Sequence, residues 1–326
     1  VPIATEQILS LIYILQLVIC ALMPFVALIW LARKQYPSRF LFLISASMVG
    51  CFLFLIFVAA RWDIAGFWLR YIWIILFVGA SFIGLARHRN QPLFTQPGLI
   101  SIVFSSVKTV LIFLMVFASW QLRDNRSYEG EAVEFAFPLN GPFWYVVHGG
   151  SNGFMNPHRH VRAQGYALDV TALHPFGMRA KGLIPDDLSS YLAFGTEVTA
   201  PCSGRVVATE NEHLDQRPLV MNSTNLAGNH VTIACEGVFV MLAHLKQGSV
   251  TVALDDEVRV GQPIGKIGNS GSTTEPHLHI HAVREPRETS PDLDDILFEG
   301  EPMAIIFDGE FLTRNDVGNA GSVFNQ

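Results

Sequence analysis

Residues 275 to 283 read EPHLHIHAV, so that His277, His279 and His281 recur at every second position between apolar residues. In an extended strand these three imidazoles share one face, and Leu278 and Ile280 take the other. One face is then apolar and the other can bind. Asp169 lies in YALDV, where alternation sets it opposite Tyr166, Leu168 and Val170; an acid there is either exposed or a ligand. Upstream, NPHRHVRAQ supplies His158 and His160. His244 ends the apolar run FVMLAHL, where a lone histidine is ordinarily a satisfied core or edge residue, just as an isolated H-x-H is ordinarily a half-exposed strand. Two histidines and a carboxylate from separate elements nevertheless match a catalytic zinc site, whose open fourth position holds a water acidified to a pKa of about 7. The helical zinc motif H-E-x-x-H is absent.

The elements that must position these residues lie in the second part of the chain. From Arg123 onward the sequence is rich in Gly, Pro, Asp and Glu. A polar stretch, 123–141, reads as a linker. Beyond it come short apolar or alternating runs at 143–147, 166–171, 197–200, 205–209, 230–234, 238–243, 257–260 and 277–283. This is the pattern of a mainly β domain over 142–290. Two longer polar stretches, 174–190 and 210–229, are candidates for groove walls. EPMAIIFDGEFL, in a C-terminal extension over 291–326, reads as a β-hairpin packed on that domain.

The first part is different in kind. The 326 residues are 50% hydrophobic and only 15% charged, and charges are scarcest before residue 122. Runs at 8–32, 40–60, 66–86 and 99–120 each approach the ~20 apolar residues that span a ~30 Å hydrocarbon core. A cleaved signal peptide has one such region, so four runs predict a four-helix transmembrane region over 1–122 that stays in the lipid bilayer. Arg33, Lys34 and Arg39 lie between the first two runs, and Arg87 and Arg89 between the last two. The positive-inside rule puts these loops in the cytoplasm and the whole second part outside it, although Arg61 and Arg70 weaken the bias. Lys108 lies inside the fourth run, where a lysine costs roughly 2.5–3.5 kcal/mol on the insertion scale unless it snorkels or pairs; it reads as an anchoring residue. Pro24 reads as a kink. The net charge of −6 argues against a nucleic-acid partner. Cys20 and Cys51 fall in apolar runs. Cys202 and Cys235 could pair in an oxidising compartment, and without C-x-x-C spacing they do not suggest a zinc site.

GTEVTAPCSGRVVA, GNHVTIACEG, FVMLAHL and VRVGQPIGKIGNSGSTTEPHLHIHAV, arriving in that order, resemble the LytM/lysostaphin-type M23 metallopeptidases over roughly 143–285. The resemblance implies a small antiparallel β domain with an open groove, Zn2+ as cofactor, and peptide cross-bridges of bacterial peptidoglycan as substrate. It implies that Asp169 and His279 are zinc ligands, that His277 and His244 activate water and stabilise the oxyanion, and that His277 does acid–base work. The usual first ligand, four positions before the aspartate, is here Gly165. The chain looks instead like a branch with N-x-H and Q-x-Y-A-x-D, matched by Asn156-Pro157-His158 and by 164–169, which favours His158 over His160. His148 reads as structural, and for His281 support of a neighbouring ligand and a solvated strand end are both open, with the strand end favoured.

The expectation is a multi-pass zinc endopeptidase of the bacterial cytoplasmic membrane, with its catalytic domain on the extracytoplasmic (periplasmic) side, acting on peptidoglycan stem peptides or cross-bridges. Its rival is a non-catalytic LytM-like binding module that controls other wall hydrolases. For the topology, a reporter enzyme fused after Gln326 is expected to be active only outside the cytoplasm. Cytoplasmic activity would invert the four-helix arrangement.

Overall fold

The apolar runs of the first part form helices. In the computed structural model, which describes residues 3–318 apart from Pro97, Pro142, 285–292, 294–296 and 298, α1 (Ile3–Leu17) passes through a π-helical turn, Val18–Leu22, into α2 (Met23–Arg33). Pro24 sits in the first turn of α2. It has no N–H to give to the helical ladder, and the wider turn lies just before it. Then follow α3 (Arg39–Ala59), α4 (Trp62–Ala65), α5 (Leu69–His88) and α6 (Leu99–Gln121). The Ser38 hydroxyl caps α3 by accepting from the Leu41 N–H at 3.3 Å. Four helical segments, Glu6–Arg33, Arg39–Ala59, Leu69–Arg87 and Leu99–Gln121, are long and apolar enough to cross a membrane. Ile75, Phe82, Ile100 and Phe113 stand outward, a surface apolar enough to face hydrocarbon. By contacts, the chain separates into a helical unit, Ile12–Arg123, and a second unit that holds everything from Asp124 onward together with residues 1–11.

Among the described residues the second unit contains thirteen strands. They are β1 (Ala132–Phe135), β2 (Trp144–His148), β3 (Leu168–Ala172), β4 (Glu197–Thr199), β5 (Gly204–Glu210), β6 (Asn229–Cys235) and β7 (Val238–Leu245). After these come β8 (Glu257–Val258), β9 (Pro263–Lys266), β10 (Leu278–Arg284), β11 (Pro302–Phe307), β12 (Glu310–Phe311) and β13 (Val317–Gly318). The main sheet runs β13-β2-β3-β10-β7-β6-β5-β8, and β11 adds to it through β10, β1 and β12, while β4 and β9 form a separate pair. Pairing is antiparallel except between β1 and β11.

The 123–141 stretch contains β1, whose Val133 and Phe135 lie opposite Ile305 and Phe307. Only four residues long, it is too short to show an alternation that would mark it in sequence. EPMAIIFDGEFL forms the β11–β12 hairpin; residues 319–326 and most of 291–298 lie outside the described residues.

Alternation sorts the central strands. Leu168 and Val170, Val240 and Leu242, and Leu278 and Ile280 enter one core, each contributing roughly 1.5–3 kcal/mol of burial. The opposite face carries a row across three strands, because His148 lies opposite Asp169 and Asp169 opposite His279.

Cys202 and Cys235 form a disulfide across 33 residues, while Cys20 and Cys51 are free. A cross-link over a loop of this length limits the unfolded chain. Replacing both linked cysteines with Ser is expected to lower the stability of β5 and β6 by roughly 2–4 kcal/mol, read as loss of hydrogen-exchange protection there. Cys51→Ser is expected to leave that protection unchanged.

Candidate metal centre

The centre forms around one carboxylate. Asp169, 4% exposed, is met at Oδ2 by His148 Nδ1 and His158 Nε2, both at 2.8 Å. At Oδ1 it is met by His279 Nδ1 at 2.9 Å and, more distantly, by His277 Nε2 at 3.4 Å. His244 completes the cluster, its ring centroid 5.0 Å from that of His277 and 5.7 Å from that of His279. The five residues singled out in sequence, His158, Asp169, His244, His277 and His279, are thus brought together. The opening of the cluster is on the side of His148 and His158, whose side chains are 23% and 22% exposed.

Local structure explains each placement. Asn156 is fully buried: its amide donates to the Gly150 and Ala167 carbonyls, and its Oδ1 accepts from the His158 N–H. It therefore ties the turn that carries His158 to the start of β3, which is what the asparagine of N-P-H accomplishes. His160, two residues on, is exposed.

His244 depends on an irregularity. Regular alternation would point it into the core beside Leu242, but the β6–β7 register shifts between the Asn229 and Val231 pairings, and His244 takes φ +63°. A left-handed conformation in a non-glycine residue costs roughly 1–3 kcal/mol. It is held by His244 N–H donating to Ala227 O and by Nδ1–H donating to Ser270 O, at 3.0 and 2.9 Å. Beneath it Gly228 and Gly271, both at positive φ, approach so closely that a Cβ on Gly228 would lie 2.4 Å from the Ser270 backbone.

His277 is oriented through Nδ1–H, which donates to Glu275 O at 2.8 Å, leaving Nε2 to face Asp169. The Glu275 carboxylate is itself held by the buried Arg179 guanidinium from the 174–190 stretch.

The tautomers form a chain. His281 Nε2–H donates to Leu297 O at 3.1 Å. Burial, with His279 adding to it, pushes the His281 imidazole down to about 3, so it is neutral and its Nδ1 is an acceptor. His279 must then donate through Nε2–H, at 3.0 Å. Burial also lowers His279, and its Nδ1 faces Asp169 Oδ1 at 2.9 Å. Burial opposes ionisation of Asp169, but the facing His158 and His277 and the hydrogen bonds from His148 and His158 outweigh it, holding the carboxyl well below its usual range. A proton or a metal cation bridges such a pair. Imidazole nitrogens and a carboxylate oxygen are the donors that zinc takes, so this donor set fits the metal. His148, His158 and Asp169 also form a group whose ligand atoms all lie within 4.8 Å of one another.

Two readings change. His281 is not a solvated strand end: it is 1% exposed and orients His279, because β10 is an interior strand flanked by β3 and β7. His148 is part of the cluster, since β2 pairs with β3 and brings it opposite Asp169; strand partnership leaves no local mark, and only the polar residue ending an apolar strand hinted at it.

The non-ligand pair is split electrostatically. Burial and the neighbouring His277 and His279 depress His244 well below its ordinary value. Burial acts the same way on His277, but Asp169 and the Glu275 carbonyl overcome it and raise the group. For His158 too, Asp169 outweighs burial and raises the imidazole.

The structure thus defines a mainly antiparallel β domain with a histidine–carboxylate cluster that could hold a metal ion. Residues 189–291 match the model of peptidase family M23. The match includes His244, His277 and His279 and ends short of His158 and Asp169. Among solved structures, the chain is similar to a candidate M23 peptidase from Pseudomonas aeruginosa, with 19% identity, a TM-score of 0.27, and coverage of 52% of this chain and 54% of that one. It is similar to the catalytic domain of lysostaphin, an antimicrobial peptidase from Staphylococcus simulans, with 20% identity, a TM-score of 0.26, and coverage of 50% and 90%. A zinc-containing peptidase from Vibrio cholerae gives 21%, 0.26, and coverage of 45% and 37%. The chain spans about half the length of the Pseudomonas protein. No curated protein matched the chain.

Zinc titration of the purified protein is expected to show one tight site that is lost in Asp169→Ala, His158→Ala and His279→Ala and kept in His160→Ala. His281→Ala is expected to weaken it roughly 10–100-fold, as loss of a residue orienting a ligand does.

Proposed function

We propose that the chain is a membrane-anchored zinc endopeptidase that hydrolyses peptide bonds in peptidoglycan stem peptides or cross-bridges, with its β domain outside the cytoplasmic membrane. The observation that carries this reading is the convergence of His158 Nε2 and His279 Nδ1 on the Asp169 carboxylate, beside a histidine pair whose basicities are driven apart. The M23 match and the four apolar helices support the peptidase and membrane parts.

His158, Asp169 and His279 would hold the metal. When bound, zinc polarises the scissile carbonyl and acidifies a water to near neutrality. The remaining chemistry belongs to the two non-ligand histidines. His244, neutral and with Nδ1–H committed to Ser270 O, has its Nε2 lone pair available to accept a proton from water. His277, with Nδ1–H committed to Glu275 O and its basicity raised, holds a proton at Nε2 for the developing oxyanion or the leaving amine. Groups whose pKa values are pushed apart divide acid and base duties in this way. The Arg179–Glu275 pair fixes His277 from beneath, and the 174–190 and 210–229 stretches would select the peptide.

A second reading of the ligand set rests on the close grouping of His148 with His158 and Asp169, in which His148 replaces His279. Zinc retained in His279→Ala and lost in His148→Ala would establish that alternative.

Purified peptidoglycan digested with the zinc-loaded protein is expected to release peptide fragments, identified by mass. His244→Ala and His277→Ala are expected to keep zinc and lose turnover by roughly 10²–10⁴-fold. If the zinc-loaded protein bound peptidoglycan but released nothing, the non-catalytic module would be the better account.

A further inference from the structure

The helical unit contains a second built site, unrelated to the metal centre. A cavity of about 390 Å³ is lined by Trp30, Lys34, Tyr36, Ser101, Ser105 and Lys108, among others. Both ammonium groups converge on the same two rings. Lys34 Nζ lies 4.9 Å from the Trp30 centroid and 5.6 Å from that of Tyr36, and Lys108 Nζ lies 5.3 and 5.9 Å from them. Lys108 donates to Ser45 Oγ at 2.7 Å, a neutral partner. Ser101, Ser105 and Lys108 follow one face of α6 at i, i+4 and i+7. Lys108 thus enters α6 about 14 Å from its start, nine residues at 1.5 Å each, and its ammonium lies beside residues of the 34–38 loop.

No carboxylate can neutralise this pair from within the unit. Between Ile12 and Arg123 the sequence contains a single acid, Asp63, and Arg61 holds it at 2.6 Å. The Tyr36 hydroxyl is buried without a hydrogen bond of ordinary geometry, its interaction with Ser45 falling short of one. Two cations and two serines therefore face one space. Next to it, sharing Leu41, Ser101 and Ser105, is a cavity of about 560 Å³ lined largely by apolar groups, including Phe40, Ile44, Phe94, Ile102 and Val110.

We propose that the cationic cavity holds the phosphate of an anionic phospholipid headgroup and that the adjoining apolar cavity takes an acyl chain. Paired cations call for an anion, and the continuous apolar space beside them calls for an amphiphile rather than a free ion. Basic residues at a membrane surface attract anionic lipid in just this way, and serine hydroxyls supply hydrogen bonds that a phosphate accepts. This reading rests on the four helices being in a bilayer and not on the peptidase reading.

The test uses the full chain, purified in non-ionic detergent and offered equal amounts of phosphatidylglycerol and phosphatidylcholine with the same acyl chains. Native mass spectrometry counts the lipid retained. Phosphatidylglycerol is expected to be preferred, with each lysine contributing about fivefold. Lys34→Gln and Lys108→Gln should each reduce the preference by about that factor, and Lys108→Arg should preserve it. Lys34 is exposed, so Lys34→Gln carries the test even if the Lys108 variant fails to fold. Equal retention of the two lipids, or a preference unchanged in Lys34→Gln, overturns the proposal. Inorganic phosphate abolishing the preference at millimolar concentration would assign the cavity to the free ion, which also overturns it. A chain that stayed soluble without detergent would defeat the membrane reading itself, before any lipid was added.

Discussion

A single buried carboxylate organises the β domain. Ionised Asp169 lies where solvent cannot stabilise it, and an uncompensated charge there would cost several kcal/mol. Compensation comes from imidazoles on four separate segments: β2, the turn after Asn156, β10, and the approach to β10. None of these could shift without leaving the charge exposed to an apolar interior. The sheet register supplies the row His148–Asp169–His279, and the core on the other face keeps that register in place. A slip of one residue would exchange the two faces, bringing Leu168 and Ile280 out and Asp169 in.

Strain is concentrated where the cluster needs a residue that alternation cannot provide. His244 reaches the polar face only through a bulge and a left-handed backbone, and the contact of Gly228 with the Ser270–Gly271 turn makes that conformation affordable. The glycine-rich turn thus has a structural task beneath a histidine far from it in sequence. The buried Arg179–Glu275 pair acts similarly on His277, linking a wall of the domain to the tautomer of a residue at its centre.

The helical unit follows opposite electrostatic rules. Where the β domain gathers neutral and cationic groups around an acid, the helical unit has one acid, already paired, and several cations. Its outward Ile, Leu and Phe side chains need no protein partner in hydrocarbon, so the polar groups that remain inside it stand out. Lys108 would be expensive as an isolated charge; it is turned back toward the aromatic and hydroxyl groups of Trp30, Tyr36 and Ser45.

The sequence alone determined the division into an apolar helical part and a β part, because both depend on local patterns: runs of about twenty apolar residues, and alternation with period two. It also identified His158, Asp169, His244, His277 and His279 by type and motif. It could not show which strands are neighbours. That information is non-local, and it decided that His148 belongs beside Asp169, that His281 is buried in an interior strand and sets the His279 tautomer, and that the 123–141 stretch contributes β1. The N-x-H motif already favoured His158 over His160, and the tertiary structure supplies the reason: the Asn156 bonds to Gly150 and Ala167 turn one histidine toward the carboxylate and leave the other in solvent.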